Sequence, residues 1–182
     1  ADDDVAAADV EPVGGLVRGL FSGGTLCSEA AAILAERLGE VASNAPAGGA
    51  TRLEPGEEPR GHAVLDLGEE EFTRGRPHPM IDPEARAERL ADEARNPEVG
   101  VLLLDVVLGH ASHPDPAGAL VPALRDALAE RPKLAVVAHV LGTEGDPQGL
   151  EDQTAKLAEL GVRLCRTNAG AARLAAALAA DS

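Results

Sequence analysis

VGVLLLDVVLG, Val99 to Gly109, is an apolar run interrupted inside only by Gly100 and Asp105. An amphipathic helix would place polar residues every third or fourth position, and a strand with one wet face would alternate. An unbroken run suits a strand buried on both faces, and such strands belong to parallel sheets covered by helices. Outward from it the chain keeps one rhythm. Upstream, HAVLDLG (His62 to Gly68) is a strand, and Asp82-Pro83 opens a helix whose apolar stripe is Ala87, Leu90, Ala91 and Ala94. Further upstream, LVRGLFS (Leu16 to Ser22) is a strand running directly into a helix with Ala30, Ile33, Leu34 and Leu38, closed by Gly39. Downstream, Asp115-Pro116 starts a helix with Leu120, Leu124, Ala127 and Leu128 on one side, and LAVVAHVLG (Leu134 to Gly142) is the fourth strand. Asp146-Pro147 reads as a third Asp-Pro helix start, VRLCRTN (Val162 to Asn168) as the fifth strand, and Asn168 as the cap of an Ala-rich terminal helix.

Five β-α units in succession require crossover connections and hence parallel strands. The predicted fold class is α/β: a flavodoxin-like three-layer sandwich with a five-stranded parallel sheet in the order 2-1-3-4-5. Residues 15–182 form that domain. Residues 1–14, with five acids and no base, are expected to be a flexible acidic arm, and the Gly-, Pro-, Ala- and Glu-rich stretch 40–61 a mobile loop. The strand-to-helix loops carry the Gly, His and Arg residues, at the sheet edge where open α/β folds bind ligands.

Composition narrows the function classes. Against 16 Lys+Arg stand 31 Asp+Glu, for a net charge of −15, and the aromatic residues are Phe21 and Phe72 alone. Nucleic acid is excluded as a partner, because it needs a basic face and usually stacking rings. No apolar run approaches the length of a membrane span. The start, ADDDVAAADVEP, has neither a basic nor an apolar signal region and no initiator Met, so a processed chain or a piece of a longer protein is expected. Cys27 and Cys165 are solitary, and a reducing cytoplasm is the expected setting.

Three loops carry candidate chemistry. In FSGGTLCSEA (Phe21 to Ala30), Gly23 and Gly24 let backbone amides approach a ligand, Ser22 and Thr25 add hydroxyls, and the helix start supplies open donors for an anion. The same residues would equally make a tight turn with a Thr cap. In FTRGRPHPMIDP (Phe72 to Pro83), Arg74, Arg76 and His78 gather between stiffening prolines. Those arginines suit a carboxylate or phosphate, or else pair with Glu69, Glu70 and Glu71. In DVVLGHASHPDP (Asp105 to Pro116), His110 is a candidate phosphoryl acceptor or general acid/base, with a solvent-facing role as the alternative. His110, His113 and Asp115 lack a further ligand, so no metal site is assigned. Asp105, inside an apolar strand, must be paired or lie near the strand end, where an arginine of a neighbouring loop could meet it. His139 and Cys165 read as core residues and Cys27 as inert packing. The candidates are therefore His110 and His78 for catalysis, and Ser22, Gly23, Gly24, Thr25, Arg74 and Arg76 for binding an anionic substrate.

SGGTLCSEA resembles the S-G-T-L-x-x-E-A segment of succinyl-CoA synthetase alpha-type ligase domains. GLFSGGTLCSEA, LDLGEEEFTRGRPHPMIDP, GVLLLDVVLGHASHPDPA and HVLGTEGDPQ together are similar to the FdrA-type acyl-CoA synthetase-like family, over residues 15 to 180. GRPHPMIDP is the most distinctive of these strings. The resemblance implies a flavodoxin-like CoA-ligase domain for acyl-CoA or acyl-phosphate chemistry. In the ligases a helix N-terminus faces a phosphohistidine, and that segment maps onto Gly23, Gly24 and Thr25. The family's phosphohistidine lies in a G-H-A-G-A-I loop after the fourth strand. GTEGDPQG (Gly142 to Gly149) occupies that place without a histidine, and His110 stands in a G-H-A string after the third strand instead. The resemblance also implies a CoA-binding domain or second subunit that would bring CoA or a nucleotide, and an oligomer. The alternatives it leaves are a subunit of an oxamate carbamoyltransferase-type complex in allantoin breakdown, and a non-catalytic module docking on a CoA-binding partner.

Overall fold

The computed structural model describes residues 10–180. Among them the elements run β1 (Leu16–Phe21), α1 (Gly24–Leu38), β2 (Val41–Ser43), β3 (Thr51–Arg52), β4 (His62–Asp66), α2 (Glu70–Thr73) and α3 (Glu84–Arg95). They continue with β5 (Val99–Val107), α4 (Pro116–Glu130), β6 (Ala135–Leu141), α5 (Leu150–Ala158), β7 (Arg163–Cys165) and α6 (Asn168–Ala179). All strand pairings are parallel, in the order β3-β2-β4-β1-β5-β6-β7.

The five strands expected from the sequence keep their expected order, but the sheet has seven. The two additions come from the stretch expected to be a mobile loop. Val41 pairs in register with His62, and Thr51 with Ala42. Strands of three and two residues are too short to show alternation in sequence; their neighbours in the sheet define them.

Period two sorts the core. Val17, Phe21, Val101, Leu103, Ala135 and Val137 pack against small residues of α1 and α6, such as Ala30, Ala31, Ala171 and Ala175. Leu20, Leu102, Leu104, Val136 and Ala138 face the other way, against Leu90 of α3, Leu120 and Leu124 of α4 and Leu157 of α5. On that second face Arg18 of β1 is also buried. Its Nε donates to Glu93 Oε2 of α3 at 2.9 Å, Nη1 donates to Gly61 O and Val17 O, and Nη2 donates to Pro59 O at 3.1 Å. Every guanidinium nitrogen is thus used, which a buried charge demands.

The helix starts differ in part from expectation. Asp115 caps α4 by accepting from Gly118 N, with Pro116 as the first helical residue. Asp82 accepts from Glu84 N at the start of α3. Asp146 does not start a helix. Its carboxylate accepts from Thr143 N at 2.7 Å and closes a turn, and α5 begins only after Gly149, whose φ is 71°. Asn168 does not cap α6: Thr167 accepts from Gly170 N, while the Asn168 amide donates to Leu26 O and to Glu29 of α1. Of the acidic arm expected over 1–14, residues 1–9 lie outside the described residues; Val13 N and Gly14 N donate to Leu178 O of α6. No helix among the described residues is long and apolar enough to cross a membrane.

Candidate functional site

β4, β1 and β5 end side by side, and their carboxyl ends bring together Asp66, Ser22 and Asp105. Asp105 is fully buried. Its Oδ1 accepts from Ser22 N and its Oδ2 from Gly23 N, both at 2.9 Å, and Ser22 Oγ donates to it at 3.1 Å. The countercharge is Arg86, whose Nη2 lies 2.9 Å from Asp105 Oδ1. Arg86 Nε and Nη2 also donate to Leu20 O, and Nη2 to Asp105 O. Burial pushes the Arg86 pKa down, and the Asp105 carboxylate pushes it back up. The arginine that the sequence demanded for Asp105 therefore comes from the first turn of α3, not from a loop. The signal for Arg86 was its position four residues before Leu90, on the buried side of that helix.

α1 begins at Gly24 with no side-chain cap, and its first helical bond runs from Cys27 N to Gly23 O. The amides of Gly24, Thr25 and Leu26 consequently have no acceptor among the described residues. Ser22 and Gly23, expected in the same anion site, spend their amides on Asp105, so the open donors start one residue later. Thr25 is exposed and caps nothing. A Cβ at Gly24 would stand 2.7 Å from Asp66 Oδ2, so any larger residue would have to push that carboxylate aside.

Asp66 went unnoticed in the sequence because it closes a short strand without breaking an apolar run. It is 5% exposed, and Oδ1 accepts from Gly68 N at 2.9 Å. Burial pushes its carboxyl pKa up. The Gly68 amide pulls the pKa down, Glu69 and Asp105 add to the rise, and His78 opposes it. Asn44 fixes the backbone of Asp66 by accepting from its N and donating to its O, each at 2.8 Å. The His78 ring packs on Gly68, where a Cβ would collide with Nε2, and its Nδ1 accepts from Met80 N. His78 and Asp66 thus flank one glycine.

The other expected site residues lie elsewhere. Arg74 pairs with Glu70 at 3.5 Å and Arg76 with Glu88 at 3.2 Å, all of them well exposed, on the rim of a cleft between α2 and α3. His110 is exposed on the turn after β5. His113 Nδ1 accepts from Asp115 N, and Asp115 pairs with Lys156 at 2.9 Å. No group of three or more His, Cys, Asp or Glu among the described residues is placed to hold a metal ion. Cys27 is fully buried, and burial pushes its thiol pKa far up, so it is no nucleophile. Gln148, unnoticed in the sequence, fastens the loop after β6 to that after β5: it accepts from Gly109 N and donates to Gly109 O and His113 O.

This geometry sits in a known sequence family. The profile of the CoA-ligase family matches residues 20–178, and the chain belongs to that family. It is 41% identical over 172 residues to the uncharacterized protein YahF of Escherichia coli (strain K12), a match covering 92% of this chain and 33% of YahF. The chain spans about a third of the length of that relative. Among solved structures it resembles the dinucleotide-forming acetyl-coenzyme A synthetase 1 of Ca. Korarchaeum cryptofilum, solved with phosphate and ADP. The TM-score is 0.59 at 14% identity, over 97% of this chain and 35% of that one. It also resembles PH0766 of Pyrococcus horikoshii OT3, with a TM-score of 0.57 at 15% identity, over 98% of this chain and 39% of that one. These two likenesses establish the fold.

Proposed function

We propose that this chain is the ligase-like domain of an FdrA-type acyl-CoA synthetase-like protein, and that the start of α1 holds the phosphoryl or carboxylate group of its reacting species. One observation carries the reading: three consecutive amides, of Gly24, Thr25 and Leu26, stand open at an uncapped helix start beside Asp66. A helix N-terminus favours an anion by its aligned dipoles and free donors. Asp66 would repel that anion when ionised; its raised pKa makes a proton cheaper to hold as the anion arrives. His78, across Gly68, is the group placed to exchange that proton. His110, on its exposed turn, is the phosphoryl acceptor in this reading, since the loop 142–149 has no histidine. Phosphate bound to the structural neighbour makes phosphate the first probe.

A CoA-binding domain or second subunit completes the activity in this scheme, bringing CoA or a nucleotide. The histidine-free loop also favours a second reading, transfer of a carbamoyl group in a complex of the oxamate carbamoyltransferase type, which needs no phosphohistidine.

The test is titration of the chain with inorganic phosphate, and separately with carbamoyl phosphate, followed by amide NMR. Saturable shifts at Gly24, Thr25 and Leu26, abolished in Gly24→Val, are expected. Shifts scattered over the surface, or retained in Gly24→Val, would defeat the reading. Carbamoyl phosphate, losing carbamate, is expected to leave acid-labile phosphate on the chain, and His110→Ala to abolish that phosphate while leaving binding intact.

A further inference from the structure

At the amino ends of β6 and β7, on the opposite edge of the sheet from the candidate site, the surface sinks into a cleft of about 650 Å3. Its apolar lining comes from Leu128 of α4, Leu134 before β6, Leu160 after α5, and Val13, which is 40% exposed. Two cations, Lys133 and Arg163, stand in that lining, and no acid among the described residues does. Both residues are exposed, and neither side chain has a hydrogen-bond or ion-pair partner among the described residues. In a chain with 31 acids against 16 bases, such a place is unusual. The cleft between α2 and α3 shows the contrast: there Arg74 and Arg76 are held by Glu70 and Glu88, and Glu71 and Asp92 join the wall. Two open cations beside aliphatic walls complement a ligand that is both acidic and aliphatic.

Spacing narrows the class of ligand. Arg163 is in register with Val137, four residues beyond Lys133. At about 3.3 Å per residue, the two positions lie roughly 13 Å apart along the strand direction. Two acids four residues apart on an extended peptide have that same spacing. They also face one way together with the residue midway between them, because side chains alternate. An aliphatic residue at the midpoint would meet the leucines of the cleft. We infer that this cleft docks an acidic, aliphatic peptide segment of a partner protein, its two carboxylates on Lys133 and Arg163. Docking there needs nothing from the anion site at α1, which lies at the other edge of the sheet.

The probe is the peptide acetyl-Asp-Ala-Leu-Ala-Asp-amide, titrated into the whole chain at about 0.15 M salt, where acids beyond about 8 Å are screened. The readout is amide NMR at Val13 and Gly161, which line the cleft. A saturable shift at both is expected. The double variant Lys133→Ala/Arg163→Ala removes two exposed side chains and should keep the wild-type melting temperature while weakening the peptide by about tenfold. The peptide with Gly in place of Leu should bind more weakly than the parent, since it has no side chain for the leucines. Four outcomes overturn the inference: no saturable shift, shifts at Gly24 to Leu26 instead, equal affinity in the double variant, or equal affinity of the Gly peptide. Succinate is the control for a small dianion, and succinate binding the cleft as tightly as the peptide would overturn the inference as well.

Discussion

Arg18 of β1 and Arg86 of α3 are the two buried arginines among the described residues, and they are used differently. Arg18, paired with Glu93 near the amino end of the sheet, bonds through all three guanidinium nitrogens to groups of its own chain. Arg86, paired with Asp105 at the carboxyl end, has no acceptor for Nη1 among the described residues, and its partner carboxylate holds the glycine loop. A closed pair is a structural fastening. The second pair ties the sheet to the candidate site, because the same carboxylate accepts from the Ser22 and Gly23 amides.

The comparison breaks most visibly under substitution. Arg86→Met is expected to cost about 3–5 kcal/mol by chemical denaturation, because it strands the buried Asp105 carboxylate, and Arg18→Met less, because Glu93 keeps its pair with Arg89. Adding Glu93→Leu to Arg18→Met should recover most of the loss, since a buried ion pair is often replaceable by apolar side chains. Adding Asp105→Leu to Arg86→Met should not, because the Ser22 and Gly23 amides then lose their acceptor. Equal recovery in both doubles would erase the distinction drawn between the pairs.

A smaller effect is expected at Asp66. Its folded-state pKa is raised, so the folded state binds more protons than the unfolded chain between the two pKa values. The contribution of Asp66 to stability is therefore greatest below the unfolded value, about 4, and is lost as pH rises through the folded one. Asp66→Asn should raise the melting temperature at neutral pH and flatten its fall across that window, as thermal melts in a pH series would show. A melting temperature lowered at neutral pH would mean that the carboxylate is needed for the Gly68 turn. The smallest effect belongs to the exposed Arg76–Glu88 pair: Glu88→Gln should change stability by less than about 0.5 kcal/mol in denaturant titration.

Much of the fold was legible because burial on both faces leaves a mark no other environment makes. Val99 to Gly109 announced a covered parallel strand, and Asp105 within it announced a partner. Its partner was overlooked although Arg86 stands four residues before Leu90 on the stripe that α3 buries, because an arginine there can equally lay its stem on the core and carry its head to water. The glycine loop was legible as a strand-to-helix turn with open amides, but which amides stay free depended on Asp105 reaching back across 82 residues to Gly23. Asp66 and the donor–acceptor clasp of Asn44 were invisible for the same reason: their meaning lies in contacts between segments. The short β2 and β3 exist only as additions to β4, and a segment that borrows its order from a neighbour has no periodicity of its own.

The two rims of the sheet have a further consequence. β3 offers two residues of unpaired ladder and β7 three. Strand addition needs a longer template to gain enough main-chain bonds, and short rims also guard against fibril-like stacking. A protein docking on this domain would therefore have to grip it by loops and helix surfaces. Its recognition would then depend on side-chain complementarity, which can change while the sheet stays as it is.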